Sequence, residues 1–303
     1  MTTKKRIIIT GTSGFVGSNL KAHLGPFYEI ETLKARFVSN QIFNLEAEAI
    51  VHLAGKAHDL KNCSCPEEYY YANFELTKQL FDAFLISKAT IFIFMSSVKA
   101  VADEVEGILK EDFIPNPKTH YGSSKLMAEN YILNRQLPAG KKVYILRPSM
   151  IHGPGNKGNL NLLFAIVSKG IPWPLAAFHN KRSFLGIDNL CFVIKELLDN
   201  NTILSGVYNL SDNQVVSTNE IIVQISNSKN SKPRMVSIPK KIIVIFARIG
   251  DLFHLPLNSE RLKKLTESYI VSNDKIIKAI GKPFPFSAVE GFKKTFQSFR
   301  YDQ

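Results

Sequence analysis

The stretch Arg6-Ile7-Ile8-Ile9-Thr10-Gly11-Thr12-Ser13-Gly14-Phe15-Val16-Gly17-Ser18-Asn19-Leu20 decides the fold. The isoleucine run predicts a strand buried on both faces, as in a parallel sheet. Three glycines spaced three apart follow at once, and a helix-like stretch, Phe15 to Leu24, follows them. Glycine permits a tight turn, close approach of backbone to a pyrophosphate, and close packing of helix on strand. The helix start then offers unpaired N–H groups and the positive end of its dipole to a phosphate. The bland alternative is an ordinary strand-to-helix turn. Position directly after the first strand favours a dinucleotide site at Gly11, Gly14, Phe15, Val16 and Gly17.

Outward from this stretch, strand and helix signals alternate over the first 150 residues or so. Strands are expected at 6–10, 29–33, 50–53, 91–95 and 142–146, and helices at 15–24, 74–87 and 121–135. This alternation predicts an α/β fold, a doubly wound parallel sheet with a smaller C-terminal lobe. Residues 1–155 form the dinucleotide-binding part, and a helix at 188–200 and a strand at 206–210 rejoin its sheet within 183–212. Residues 156–182 and 213–303 form the second lobe. A ligand is expected in the cleft at the carboxyl ends of the strands.

The run His120-Tyr121-Gly122-Ser123-Ser124-Lys125 carries the chemistry. Residues four apart share a helix face. An ammonium beside a phenol stabilises the phenolate, so the Tyr121 pKa is expected to fall from about 10 toward neutrality. Such a pair also arises by chance on solvated helices; the glycine loop and the sheet pattern give it a context.

Bulk composition bounds the rest. The 303 residues are 45% hydrophobic and 21% charged, which is globular. The short N-terminal apolar run leads into the glycine loop rather than a cleavage site, so no signal peptide is expected, and no apolar stretch is long enough to span a membrane. Cys63, Cys65 and Cys191 lack metal-ligand spacing, so no metal site is expected and a reducing, cytoplasmic setting is; Cys63 and Cys65 read as loop residues rather than a redox pair. The net charge of +12 raises nucleic-acid binding, but the lysines are scattered without interleaved aromatics, so no nucleic acid is expected. An anionic cofactor and substrate account for part of the charge. The apolar segment 240–250, basic at its start, reads either as a helix packed on the second lobe or as a peripheral membrane contact.

Together, the Gly-x-x-Gly-x-x-Gly loop and the Tyr-x-x-x-Lys pair roughly a hundred residues downstream resemble the extended short-chain dehydrogenase/reductase family, in its NAD-dependent epimerase/dehydratase, sugar-nucleotide branch. The resemblance runs over nearly the whole chain. It implies that Ser97, after the strand at 91–95, joins Tyr121 and Lys125 in catalysis. Lys125 would hold the nicotinamide ribose, and Ser97 would position the reacting oxygen. Leu53, Ala54 and Gly55 match the family's cofactor wall, Pro148 lies on the cofactor side, and Asn73 matches a structural asparagine near the site. Asn44-Leu45 stands where relatives carry Asp-Ile or Asp-Leu against the adenine. Relatives usually fit another strand and helix before residue 50, so this lobe looks trimmed. Lys34 and Arg36 follow the second strand where an acid would select NAD; they suit the 2′-phosphate of NADP, or are exposed loop charges. NADP is favoured over NAD.

The resemblance implies a UDP-sugar substrate, contacted by backbone groups of Asn159 and Leu160 and clamped by Arg182 and Arg261. The family's 4,6-dehydratases carry Asp-Glu directly after the catalytic hydroxyl residue; here Val98 and Lys99 occupy those positions. Dehydration is therefore not expected. Ser-Ser-Val-Lys resembles the 4-ketoreductases of UDP-4-keto-6-deoxy-N-acetylhexosamines in surface-polysaccharide synthesis. The alternatives are a UDP-glucose/UDP-GlcNAc 4-epimerase that retains NAD, and a scaffold that kept the fold without the chemistry, against which the intact Ser97, Tyr121 and Lys125 argue. A homodimer through the 74–87 and 121–135 helices is a family expectation.

Overall fold

The computed structural model of the protein describes residues 4–57, 65–253 and 258–299; Cys63 lies outside the described residues. Strand β1 (Arg6–Thr10) leads through the glycine turn into α1 (Phe15–Leu24), then β2 (Glu29–Leu33) and β3 (Ala49–His52). A long helical stretch follows in three parts: α2 (Pro66–Tyr70), a π turn (Tyr71–Glu75) and α3 (Leu76–Ile86). Next come β4 (Ile91–Met95), a 3-10 turn (Val98–Ala100), β5 (Ile108–Leu109), α4 (His120–Leu133), β6 (Lys142–Pro148), β7 (Met150–His152) and α5 (Asn159–Ser168). The chain continues through β8 (Phe184–Gly186), α6 (Ile187–Asp199), β9 (Gly206–Leu210), α7 (Thr218–Ser228), α8 (Lys240–Phe253), α9 (Ser259–Thr266), β10 (Ile270–Val271), α10 (Asp274–Ile280) and α11 (Ala288–Ser298).

Six strands form one all-parallel sheet in the order β2-β1-β3-β4-β6-β9. Alternate side chains feed two cores, as the strand period of two requires. Ile7, Ile9, Ile91 and Ile93 pack beneath α1 and α6. Ile8, Phe92 and Phe94 pack against Phe81 and Phe84 of α3 and Ala128 and Ile132 of α4. Helices cover both faces, which is why β1 and β4 are apolar without alternation.

The strands expected at 6–10, 29–33, 91–95 and 206–210 lie where the sequence places them. Strand β3 begins one residue earlier than expected, so Leu53 stands past its end. Residues 34–48 contain no helix or strand, and β2 is the sheet edge, as a trimmed lobe requires. The helix expected from 74 starts at Pro66 and runs through the π turn. A second core joins Leu160, Phe164, Trp173, Ile221, Phe292 and Phe296. The expected division assigns all of 213–303 to that lobe, but Ile276, Ile280 and Phe284 pack into the core under the first sheet. Their apolar side of α10 finds β9 as its neighbour.

Candidate active site

The glycine turn is built by close approach. Gly11 has φ +71°, a left-handed conformation, and a Cβ there would lie 2.7 Å from Ala54 N. A Cβ on Gly17 would lie 2.2 Å from Gly11 O, so only glycine lets α1 sit this close to the turn. Gly14 is exposed and makes no side-chain cap, and the first turn of α1 holds no acid. The N–H groups there are thus left to an anion. Asn19 Nδ2 donates to Phe15 O (2.8 Å) and to Pro154 O (3.1 Å), tying α1 to the 153–155 loop; Val16 packs on the first core.

A buried polar chain fixes the strand ends around this turn. Thr77 Oγ1 donates to Asn73 O (2.7 Å), which uses its one proton. It must therefore accept from His52 Nε2 (2.9 Å), leaving His52 Nδ1 to accept from the Thr10 hydroxyl (2.8 Å). Thr10 Oγ1 in turn accepts from Leu53 N (3.1 Å) and Ala54 N (3.0 Å). This chain requires neutral His52, and burial, helped by Lys125, holds its pKa down at about 3. Asn73, in the π turn and fully buried, accepts from Lys56 N (2.8 Å) and donates to Lys56 O (2.9 Å) and Ser124 Oγ (3.0 Å). Its bonds are all structural, as expected, and π turns recur at functional sites.

Tyr121 and Lys125 lie one turn apart on α4, behind Thr119, whose hydroxyl caps the helix by accepting from Gly122 N. Ser97 begins the 3-10 turn at the end of β4 and hydrogen-bonds the Tyr121 side chain. The structure thus brings the three expected catalytic residues to one place. Lys125 is 5% exposed and donates to Met95 O (2.8 Å). A Cβ on Gly55 would lie 3.1 Å from Lys125 Nζ and 2.6 Å from Asn73 Oδ1. A side chain at position 55 would therefore crowd both groups.

The expected fall in the Tyr121 pKa is not what this arrangement produces. Burial raises it, and only the Ser97 hydrogen bond works the other way. Lys125, whose ammonium donates to a backbone carbonyl, is itself pushed down to about 8 by burial, against the pull of Glu129. Tyr121 holds its proton at neutral pH.

Sequence reading missed Glu129. It lies one further turn along α4, fully buried, and accepts from Arg147 Nε (3.0 and 3.1 Å) and Nη2 (2.5 Å) and from the Ser96 hydroxyl. The spacing Tyr121, Lys125, Glu129 on one face was the available signal. Arg147 comes from β6, Ser96 from the end of β4, so the pair joins the helix to the two strands that frame the site.

Beyond Ser97 the first part meets the C-terminal segment, where Val98, Val101 and Leu109 pack with Tyr269 and Val271. Val98 is buried, and Lys99 Nζ donates to Asp103 O (2.7 Å) and lies 4.5 Å from the Tyr269 ring centre. Burial lowers the Lys99 pKa, with the Arg182 charge adding to the effect. Arg182 therefore reaches the same corner, its guanidinium bonded to Lys264 O of α9. Arg261 stands exposed in the first turn of that helix, three residues before Lys264. Asn159 and Leu160 open α5; the Leu160 side chain is buried in the lobe core, so only its backbone is available to a ligand.

The remaining cofactor candidates separate. Lys34 and Arg36 are exposed beyond β2, and Pro148 is buried at the end of β6. Asn44 is exposed and bonds Glu46 Oε1 (3.2 Å), whereas Leu45 points into the core with Phe43 and Ile50. Leu45 cannot offer its side chain to an adenine without leaving that core. Gly11, Gly17 and Gly55 each stand where a Cβ would meet the protein's own atoms, so glycine is what lets the turn, α1 and the 53–55 segment pack this closely. Among the described residues, no cluster of His, Cys, Asp or Glu could hold a metal, and no helix is long and apolar enough to cross a membrane.

Comparison with known proteins agrees with this geometry. The model of the NAD dependent epimerase/dehydratase family matches residues 7–211. The UDP-glucose 4-epimerase of Vibrio cholerae is 29% identical over 323 aligned residues, covering 97% of this chain and 95% of that protein. The UDP-2-acetamido-2,6-beta-L-arabino-hexul-4-ose reductase of Pseudomonas aeruginosa is 25% identical, over 86% of this chain and 65% of that protein. The solved structure of RMD from Pseudomonas aeruginosa complexed with NADPH superposes with a TM-score of 0.74 at 20% identity, covering 99% of both chains.

Proposed function

Because the chain belongs to the NAD-dependent epimerase/dehydratase family, we propose that it is a 4-ketoreductase of a UDP-4-keto-6-deoxy-N-acetylhexosamine. The observation that carries this reading is the Ser97–Tyr121 hydroxyl pair backed by Lys125, beside Val98 and Lys99 where elimination would need an acid and a base. The bound nicotinamide cofactor supplies the hydride. Ser97 orients the C4 keto oxygen, and Tyr121 Oη passes it a proton as the carbonyl is reduced. A tyrosine that is protonated at neutral pH suits this direction. Lys125 and Gly55 form the corner that would hold the nicotinamide ribose. The first-turn N–H groups of α1 would hold the pyrophosphate. The exposed Lys34 and Arg36 would meet the 2′-phosphate of NADP. On the other wall, the start of α5 and Arg182 and Arg261 would hold the UDP diphosphate.

A second reading is a UDP-sugar 4-epimerase with retained NAD. It is favoured by similarity along nearly the full length of a UDP-glucose 4-epimerase. The two separate by incubation with NADPH and a 4-keto UDP-sugar, UDP-glucose or UDP-GlcNAc. The reductase oxidises NADPH with the keto-sugar alone. Interconversion of UDP-glucose or UDP-GlcNAc epimers without added cofactor would exchange the first reading for the second.

A further inference from the structure

Helix α8 has three sides. Ile243, Ala247 and Gly250 are buried, the first two in the core of the second lobe. At about 100° per residue, Ile242, Ile245, Phe246, Ile249, Leu252 and Phe253 line a neighbouring side, centred about 120° round from the buried one, and all six are exposed, Leu252 by 73% and Phe253 by 66%. Between these two faces run Lys241 and Arg248, one above the other and both exposed, with Lys240 at the helix start. The one acid of the helix, Asp251, is turned toward the start of α9, where its carboxylate accepts from Ser259 N (2.9 Å) and Ser259 Oγ (2.5 Å).

Single exposed apolar side chains need no explanation; a continuous stripe of six on one helix does. A helix apolar on two faces is buried on both. Against a second copy of the chain, an antiparallel two-fold contact through this stripe would bring the Lys241 and Arg248 edges of both copies together. Against an anionic bilayer the same edge is attracted, and the +12 charge of the chain has the same sign. An apolar face beside a cationic edge, on a helix lying in the surface plane, is the pattern of interfacial helices. We propose that the outward face of α8 seats the second lobe on an anionic lipid surface. This rests on α8 alone and not on the reading of the active site.

The test is sedimentation of the full chain with vesicles of mixed phosphatidylglycerol and phosphatidylcholine, and with phosphatidylcholine alone. The chain should partition onto the mixed vesicles and less onto the neutral ones, each nearby cation contributing about fivefold. Ile245→Glu/Ile249→Glu should lower partitioning at least about tenfold, since insertion and charge act together. Lys241→Glu/Arg248→Glu should lower it most at low salt. Thermal unfolding and NADPH binding serve as folding controls, because all four side chains are exposed. The proposal is overturned if the wild type stays in the supernatant with mixed vesicles, or if partitioning survives both double variants. It is equally overturned if Ile245→Glu/Ile249→Glu changes only the mass measured by light scattering, which would make the face a contact between copies.

Discussion

Helices α4 and α8 are both 14 residues long and are buried in opposite senses. The first hides Ser124, Lys125 and Glu129 and shows Met127 and Leu133 to solvent; the second hides little beyond Ile243 and Ala247 and shows isoleucines and phenylalanines. Hydrophobic free energy alone would exchange these choices. A buried charge costs several kcal/mol unless it is paired and hydrogen-bonded, so α4 carries Lys125 bonded to Met95 O and Glu129 bonded to Arg147 and Ser96. The lesson is that departures from the hydrophobic pattern point to work: the proposed proton transfer for α4, and the proposed contact outside the molecule for α8.

The most direct way to break the contrast is at the chemical end of α4. Tyr121→Phe should lower kcat by about 10²–10⁴-fold while leaving the unfolding midpoint and the binding of NAD(H) or NADP(H) in place. Turnover within tenfold of the wild type would remove Tyr121 from the reaction. Next is the pair beneath it. Glu129→Ala should cost about 3–5 kcal/mol in urea unfolding, because it leaves Arg147 buried without its carboxylate. Replacing both partners, as Glu129→Leu/Arg147→Met, should recover most of that stability. The double variant should still show its kcat–pH profile displaced to lower pH, because Glu129 raises the Lys125 pKa. An unmoved profile would confine the pair to a structural role.

A third test uses pH. His52 has a folded pKa of about 3 against an ordinary 6.5, so the unfolded chain binds its proton more tightly. Its contribution to stability is complete above pH 6.5 and declines as pH falls from there toward 3. Unfolding midpoints followed through this window should drop steeply in the wild type. His52→Gln, less stable at pH 7, should drop less steeply. Equal slopes would contradict a neutral His52 between Thr10 and Thr77. The smallest effect belongs to α8. Ile245→Glu/Ile249→Glu should change unfolding free energy by no more than about 0.5 kcal/mol per site. A larger loss would mean that the stripe is packed, and would erase its difference from α4.

Much of the first lobe was legible because its signals are local. The isoleucine run, the three glycines and the Tyr-x-x-x-Lys spacing each act over a few residues, and they fall on β1, the turn and α4 as expected. What escaped was tertiary. Glu129 reads as a surface residue until Arg147, 18 positions later on the neighbouring strand, folds beneath it. The Tyr121 pKa was expected to fall on helical spacing alone, whereas burial of the phenol, a tertiary effect, raises it. The seat of the Leu45 side chain was equally hidden: the apolar side of its irregular segment faces Phe43 and Ile50. For α8, the apolar periodicity announced a helix and could not say which of two greasy sides faced inward.

The π turn at Tyr71–Glu75 has a consequence for how this segment tolerates changes in length. It houses one residue more than an ordinary helical turn. Deleting a residue N-terminal to Asn73 within it would let the turn relax to regular helix, so Asn73, Thr77 and all of α3 could keep their seats. The stretch before it, Pro66–Tyr70, would keep its facing too, with Glu68 beside Lys56 and the Tyr69 ring beside Tyr121. Loss of a residue from α3 itself has no such reserve, because Thr77 would then leave His52. The spare residue acts as slack in the chain, placed so that a change of length there leaves both Pro66–Tyr70 and the bonded Asn73 and Thr77 in register.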